Sequence, residues 1–240
     1  MSVLTIVRHG QASLFAADYD KLSEIGEQQG RALGDYWASQ QLPIDRVYSG
    51  PRLRHRHSAE LTGQAYAAAG LRWPEPDVLD ELDEFDMDCL SHRFAPRLAE
   101  RDARFAQLAS DFLQCEEHHP DRPQRFQRMF ETLLQAWQVS DAPDCDVEPW
   151  PTFQQRVWNA IRRIQQDSDR GARTVIFSSG GVVGCALQHA LSVTDQATLE
   201  LSWRIRNGSL TDFVFTPDRF TLDAFNMIPH LTDPALWTYR

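Results

Sequence analysis

Arg8-His9-Gly10 follows directly on the apolar run Val3-Leu4-Thr5-Ile6-Val7. A neutral imidazole can attack a phosphoryl group and carry it as a phosphohistidine. The neighbouring guanidinium can spread charge over the phosphate oxygens by fork-like hydrogen bonds. Gly10 lets the backbone approach an anion without a Cβ in the way. A tripeptide alone recurs by chance, so its setting matters. The preceding run predicts a short strand buried on both faces, which puts the polar residues at a strand's carboxyl end, where ligands bind in open α/β sheets.

A second junction of the same kind follows. Val47-Tyr48-Ser49 predicts a strand, Gly50-Pro51 breaks it, and a helix is expected from about Arg52 to Ala69. Arg54 then lies near a helix start, the end whose free N–H groups and dipole favour an anion. Taken with Arg8-His9-Gly10, the segment Ser49-Gly50-Pro51-Arg52-Leu53-Arg54-His55-Arg56-His57-Ser58-Ala59 resembles the histidine phosphatase superfamily, also called the phosphoglycerate mutase-like family. That family pairs an N-terminal Arg-His-Gly with a downstream Ser-Pro-Leu-x-Arg-Ala-x-Gln-Thr-Ala-like segment. The resemblance implies His9 as nucleophile and Arg8 and Arg54 as phosphate-binding arginines. Arg52 falls at the leucine-like position, and Arg56 is expected to face out. The resemblance continues at Leu82-Asp83-Glu84-Phe85-Asp86, matching a Leu-x-Glu element. It implies Glu84 as proton donor to the leaving oxygen, with Glu81, in the Leu79-Asp80-Glu81 register, as the alternative. A positioned acid of this kind supplies ~10²–10⁴-fold by proton transfer. Arg156-Val157 and Asn207-Gly208-Ser209 also stand where the family has comparable elements.

One departure bears on the chemistry. The family's second histidine sits in a Ser-His-Gly-like turn after a late strand, and here the turn reads Phe177-Ser178-Ser179-Gly180-Gly181. Ser179 stands where histidine is expected. Its hydroxyl can hydrogen-bond a phosphate oxygen but brings no positive charge, and losing one preorganised donor costs ~10²–10³ in rate. Another histidine could fill the gap in space, with His57 closest in the motif and His92 after the acidic loop.

The leading expectation is therefore a phosphoric monoester hydrolase working through His9, its activity in question at Ser179. The alternative is a weak or inactive relative that binds a phosphorylated ligand or a protein partner. A mutase is less favoured, because mutases of the family continue the first motif with an acidic residue and a Trp-Asn pair, whereas this chain reads Gln11-Ala12-Ser13-Leu14-Phe15. Ser179 between a strand and a helix resembles a hydrolase nucleophile elbow only faintly, since the glycine expected two positions earlier is Phe177. His118-His119, adjacent in sequence, point to different faces, and His55 and His57 lack a carboxylate or cysteine at ligand spacing, so no metal is expected. No GxxxxGK[ST] or GxGxxG is present, and no cofactor is implied.

The elements that must position these residues follow from periodicity. Ser23 is a plausible N-cap for a helix through Trp37, with Glu24 and Glu27 in its first turn. Thr174–Phe177 reads as a third buried strand, followed by a helix to about Leu191. Leu210–Phe215 and Phe220–Phe225 read as a hairpin around Pro217-Asp218. Between them, two apolar stripes at helical spacing, from Phe105 to Leu113 and from Phe126 to Leu134, flank a break at His118-His119-Pro120. A proline-containing loop, Asp141 to Pro151, precedes a helix over Phe153–Ile164. Strands alternating with helices predict an α/β fold, a mainly parallel sheet flanked by helices. The whole chain, 1–240, is expected to form one domain, with a helical insertion at about 91–150 that either caps the active site or packs without a substrate role.

Composition limits the partners. A formal net charge of −10 over 240 residues disfavours nucleic acid, whose phosphates need basic faces, but leaves room for a small phosphorylated substrate or a phosphoprotein held by a focused arginine pair. Lys21 is the sole lysine, which biases the basic residues toward planar, bidentate donors. Cys89, Cys115, Cys145 and Cys185 form no CxxC pair and read as reduced thiols. No apolar run approaches the ~20 residues of a membrane span, and Val3–Val7 is too short for a signal-peptide core. A cytoplasmic protein is expected. Trp137, Trp150, Trp203 and Trp237 can serve a core or an interface, which leaves oligomeric state open.

Overall fold

A computed structural model of the chain describes residues 1–13, 20–140 and 147–239. Leu14, Phe15 and Cys145, and with Cys145 most of the proline-containing loop, lie outside the described residues.

In chain order the elements are β1 (Ser2–Arg8), α1 (Glu24–Ser39), β2 (Arg46–Ser49), α2 (Leu53–Ala68), β3 (Asp77–Val78), the single-turn α3 (Met87–Cys89), α4 (Ala95–Arg101), α5 (Ala103–Leu113), α6 (Arg122–Gln138), α7 (Trp150–Asp167), β4 (Arg173–Ser178), α8 (Gly180–Leu191), α9 (Asp195–Ser202), β5 (Leu210–Thr216) and β6 (Arg219–Met227). The strands form one sheet in the order β3-β2-β4-β1-β5-β6. β1, β2, β3 and β4 run parallel, while β5 and β6 add an antiparallel edge as the expected hairpin. The α/β fold with its mostly parallel sheet is thus the one the periodicity predicts.

β1 sits at the centre because it is apolar on both faces, and Leu4, Ile6 and Val7 are all at most 1% exposed. A core of Val7, Leu33, Trp37, Val47, Tyr66, Val175 and Phe177 ties α1 and α2 to the sheet. The two helices approach closely at Gly34, where a Cβ would lie 2.2 Å from the Thr62 carbonyl oxygen. Ser23 caps α1 as expected, its hydroxyl accepting from the Gly26 N–H.

The chain divides into two compact units, Met1–Glu84 with Arg156–Arg240, and Phe85–Gln155. The sheet and all of the expected site residues belong to the first. The second is helical and has its own aromatic core, in which Trp137 packs against Phe85, Trp150 and Phe153. The break at His118-His119-Pro120 does separate two helices, α5 from α6. The helix α7 begins at Trp150 rather than Phe153, since Pro151 is tolerated in a first turn, where its missing N–H costs nothing.

Candidate active site

His9 is the first residue beyond β1, and its N–H still donates to the Ser178 carbonyl of β4 at 2.8 Å. Arg8 and Ser178 are paired in register, so His9 and Ser179 leave the sheet side by side at the carboxyl ends of neighbouring parallel strands. The His9 ring is buried, and its Nδ1 lies 2.6 Å from the Gly10 carbonyl oxygen. A carbonyl can only accept, so Nδ1 carries the proton and Nε2 of the neutral ring holds the lone pair. Arg54 Nε–H donates to that nitrogen at 3.3 Å. Burial, with the charges of Arg54 and Arg8 and the nearby His55, holds the imidazole pKa well below its ordinary value, against the opposing effect of the Gly10 bond. The ring is therefore neutral at neutral pH.

Arg54 occupies the first turn of α2, buried to 3% exposure. Asp20 sets its position. One carboxylate oxygen pairs with Arg54 Nη1 at 2.8 Å and the other accepts the Leu53 N–H at 2.8 Å, so Asp20 both orients the guanidinium and caps a helix that has no side-chain cap of its own. Arg8 is anchored differently. Its Nη1 donates to the carbonyls of Ile205 and of Tyr239, so the carboxyl-terminal stretch helps hold it. Asn207 N–H donates in turn to Thr238 O at 2.9 Å, and Gly208 N–H to the Arg8 carbonyl at 3.0 Å.

Gly10 has a use besides the one its place in the motif suggests. Its N–H goes to Ser58 Oγ at 3.0 Å, and a Cβ here would lie 2.4 Å from the Gly26 carbonyl oxygen of α1. The residue is a glycine because backbone crosses backbone at this point; the close approach is to a helix.

The acidic loop is pinned from several sides. Arg156 Nη1 donates to the carbonyls of Glu81 at 2.9 Å and Asp83 at 2.8 Å, Arg52 Nε reaches Asp83 Oδ1 at 2.6 Å, and Ser178 Oγ donates to Leu82 O at 2.7 Å. Arg52, at the leucine-like position, thus supports this loop, while Arg56 is exposed as expected. Glu84 Oε2 accepts the Gly181 N–H at 3.0 Å, which places its carboxylate at the start of α8, two residues from Ser179. Glu81 points away to Arg163, at 3.0 Å on the surface. Of the two carboxylates, Glu84 therefore lies beside the Ser179 turn and Glu81 does not.

Ser179 meets a histidine, and it is His55. The imidazole Nε2 lies 2.6 Å from Ser179 Oγ, and the His55 ring centroid is 5.6 Å from that of His9. Burial, then the charges of Arg54 and Arg52, keeps the His55 pKa well below its ordinary value. His57 is only half-buried and His92 is exposed in the helical unit. Among the described residues no group of three or more His, Cys, Asp or Glu side chains is placed to hold a metal ion, and no helix is long and apolar enough to cross a membrane.

Two guanidiniums, a neutral imidazole lone pair, a hydroxyl and a carboxylate converge at the carboxyl ends of β1, β2 and β4. The sequence matches the Histidine phosphatase superfamily (branch 1) over residues 4–136 and 109–228. The chain belongs to the histidine phosphatase superfamily. Solved structures agree on the fold. A mycobacterial glucosyl-3-phosphoglycerate phosphatase with inorganic phosphate is 20% identical with a TM-score of 0.62, covering 96% of this chain and 99% of its own. A phosphoglycerate mutase from Bacillus anthracis is 16% identical with a TM-score of 0.63, covering 96% and 95%. A phosphoserine phosphatase from Entamoeba histolytica, in complex with 3-phosphoglyceric acid, is 16% identical with a TM-score of 0.60, covering 96% and 100%. No curated protein matches the chain.

Against the superfamily pattern, sequence reasoning brought Arg8, His9, Arg54, Glu84 and Ser179 to one place and gave no role to His55 or Asp20. Residue types gave no signal for His55, because the inward face of this helix is largely polar. Arg54, His55, Ser58 and Ala59 are buried while Leu53, Arg56 and Glu60 are exposed, the period of a helix with one face inward. Hydrophobic periodicity would have turned Leu53 inward instead. Asp20 pairs with Arg54 across 34 positions of sequence, a contact no local pattern encodes.

Proposed function

We propose that this superfamily member is a phosphomonoesterase that passes the phosphoryl group through His9. The observation that carries the reading is the fixed tautomer of His9, with its proton held by the Gly10 carbonyl and its lone pair on Nε2 beside the Arg54 guanidinium. A nucleophile next to a phosphate-binding cation is what attack on a phosphate dianion requires. In the first step the His9 Nε2–P bond forms as the ester P–O bond breaks, and Glu84 gives its proton to the departing oxygen. In the second, water attacks phosphorus, returns a proton to the Glu84 carboxylate, and phosphate leaves His9. Arg8 and Arg54 offset the charge on the equatorial oxygens throughout.

Hydrolysis is favoured over transfer to a second substrate because Gln11 and Ala12 replace the acidic continuation of the mutases. The substrate is a phosphomonoester, on a small molecule or on a protein. The test is hydrolysis of a generic aryl phosphate at mildly acidic pH by the wild type and by His9→Ala. Turnover that falls to background in the variant supports the reading. Equal rates in the two proteins would remove it.

A further inference from the structure

Three departures from the superfamily's motif meet at one point in space. In the Ser-Pro-Leu-x-Arg-Ala segment the serine is Gly50 and the alanine is His55, and in the late turn the histidine is Ser179. His55 Nε2 and Ser179 Oγ are 2.6 Å apart, at 0% and 2% exposure. A Cβ at Gly50 would stand 2.4 Å from His55 Nδ1, so the glycine opens the space the ring fills. An imidazole thus reaches this turn from the neighbouring helix α2.

Ser179 is not there to cap its helix. It stands at the N-cap position of α8 in ordinary extended backbone, φ −110° and ψ 174°, yet makes no side-chain cap bond; the Gly181 N–H goes to Glu84 instead. A serine at this position normally accepts from the helix backbone. Its hydroxyl is turned to His55, and His55 Nδ1 has no hydrogen-bond partner among the described residues. A buried N–H without an acceptor costs more than a lone pair without a donor. The proton of the neutral ring therefore belongs on Nε2, donating to Ser179 Oγ. That leaves the serine O–H free to donate onward, beside His9.

We propose that His55 and Ser179 form a relay that replaces a single phosphate-binding imidazole, with Ser179 O–H donating to a phosphoryl oxygen on His9 and His55 Nε2–H positioning and polarising that hydroxyl. The inference rests on the phosphatase reading. Ser179 is the group that touches the anion, and His55 is a positioning residue.

The test measures kcat/KM for an aryl phosphate and inhibition by vanadate in the wild type, His9→Ala, His55→Ala, Ser179→Ala, the double variant His55→Ala/Ser179→Ala, and the transplant His55→Ala/Ser179→His. Loss of one preorganised donor is expected to lower kcat/KM by ~10²-fold in each single variant and to weaken vanadate in parallel. Because the two residues act in series, the double variant should lose no more than a single one, whereas independent roles would multiply to ~10⁴-fold. The transplant should recover to within about tenfold of wild type, which a merely misfolded His55→Ala would not do. Ser179→Ala retains the His55 side chain and its volume and so controls for a collapsed pocket. Wild-type values in both single variants, with His9→Ala inactive, would overturn the relay while leaving the phosphatase intact. A multiplicative double variant or a transplant no better than His55→Ala would also overturn it. Unchanged turnover in His9→Ala would instead remove the phosphatase reading itself.

Discussion

At the residue scale, the proton on His9 decides when the site can react. An imidazole attacks only as the free base, and burial together with Arg54 and Arg8 favours that form. With its pKa below the ordinary value, His9 stays unprotonated to a lower pH than a solvent-exposed histidine. The acid limb of kcat/KM, which reports the free enzyme, should accordingly fall below pH ~6.5, the usual imidazole value. A limb assignable to His9 at or above that pH would contradict the geometry. Arg54 carries a second residue-level expectation. Its Nε faces His9 and its Nη1 faces Asp20, a fork that a lysine's point charge cannot reproduce. Arg54→Lys should lower kcat/KM by ~10²–10³-fold while unfolding near the wild-type denaturant midpoint. An unchanged kcat/KM would show that the fork is unused. His9 was legible from the sequence because it follows a strand signal directly, and Arg54 because a strand signal and a Gly-Pro break put it near a helix start. His55 and Asp20 were not, since their value comes from partners 124 and 34 positions distant.

At the scale of elements, the site hangs on how two strand ends and two helix starts are held together. Asp20 caps α2 from outside the helix, and Glu84 takes an amide at the start of α8. Replacing Asp20 by alanine frees both the Leu53 N–H and the Arg54 guanidinium. It should cost about 1 kcal/mol in urea unfolding, as lost caps do, and lower kcat/KM as well. Loss of stability with unchanged kinetics would show that Arg54 keeps its place without Asp20. The crossing of the His9 loop over α1 tolerates less. A Cβ at Gly26 would lie 2.1 Å from the Gln11 carbonyl oxygen, with no flexible side chain to yield. Gly26→Ala should destabilise by roughly 1–3 kcal/mol or more, read as a lower midpoint of thermal unfolding. Periodicity revealed the long elements, α1, α2, α8 and the β5–β6 hairpin, close to their observed bounds. It missed β3, two exposed residues that join the sheet only through β2, and the eight-residue α9, whose polar start conceals a face buried at Thr198 and Leu199. Elements this short owe their structure to neighbours more than to their own pattern.

Across the whole molecule, three buried histidines make folding sensitive to acid. His9, His55 and His230 all have lowered pKa values, and His230, with neither ring nitrogen partnered among the described residues, is lowered to about 4 by burial alone. An unfolded histidine takes up its proton near pH ~6.5, so between that pH and about 4 the unfolded chain binds more protons than the folded one. Stability should therefore fall as pH drops through this window and level off above it. His230 alone should account for about 2 kcal/mol between pH ~7 and ~5. Urea unfolding of His230→Phe should show a correspondingly shallower dependence, and an unchanged slope would mean that His230 is protonated in the fold. The net charge of −10 sets the wider context, an acidic molecule that nonetheless places Arg54 and Arg8 close enough to act on the buried His9.

The most direct measurement is to quench the enzyme during turnover of an aryl phosphate under alkaline conditions, which preserve acid-labile phosphohistidine, and to map the phosphoryl group by peptide mass spectrometry. The predicted result is a phosphorylated His9 in the wild type, accumulating further in Glu84→Gln if water attack is slowed, and absent from His9→Ala. A phosphoryl group on Ser179, or steady turnover by His9→Ala, would contradict the account at its centre.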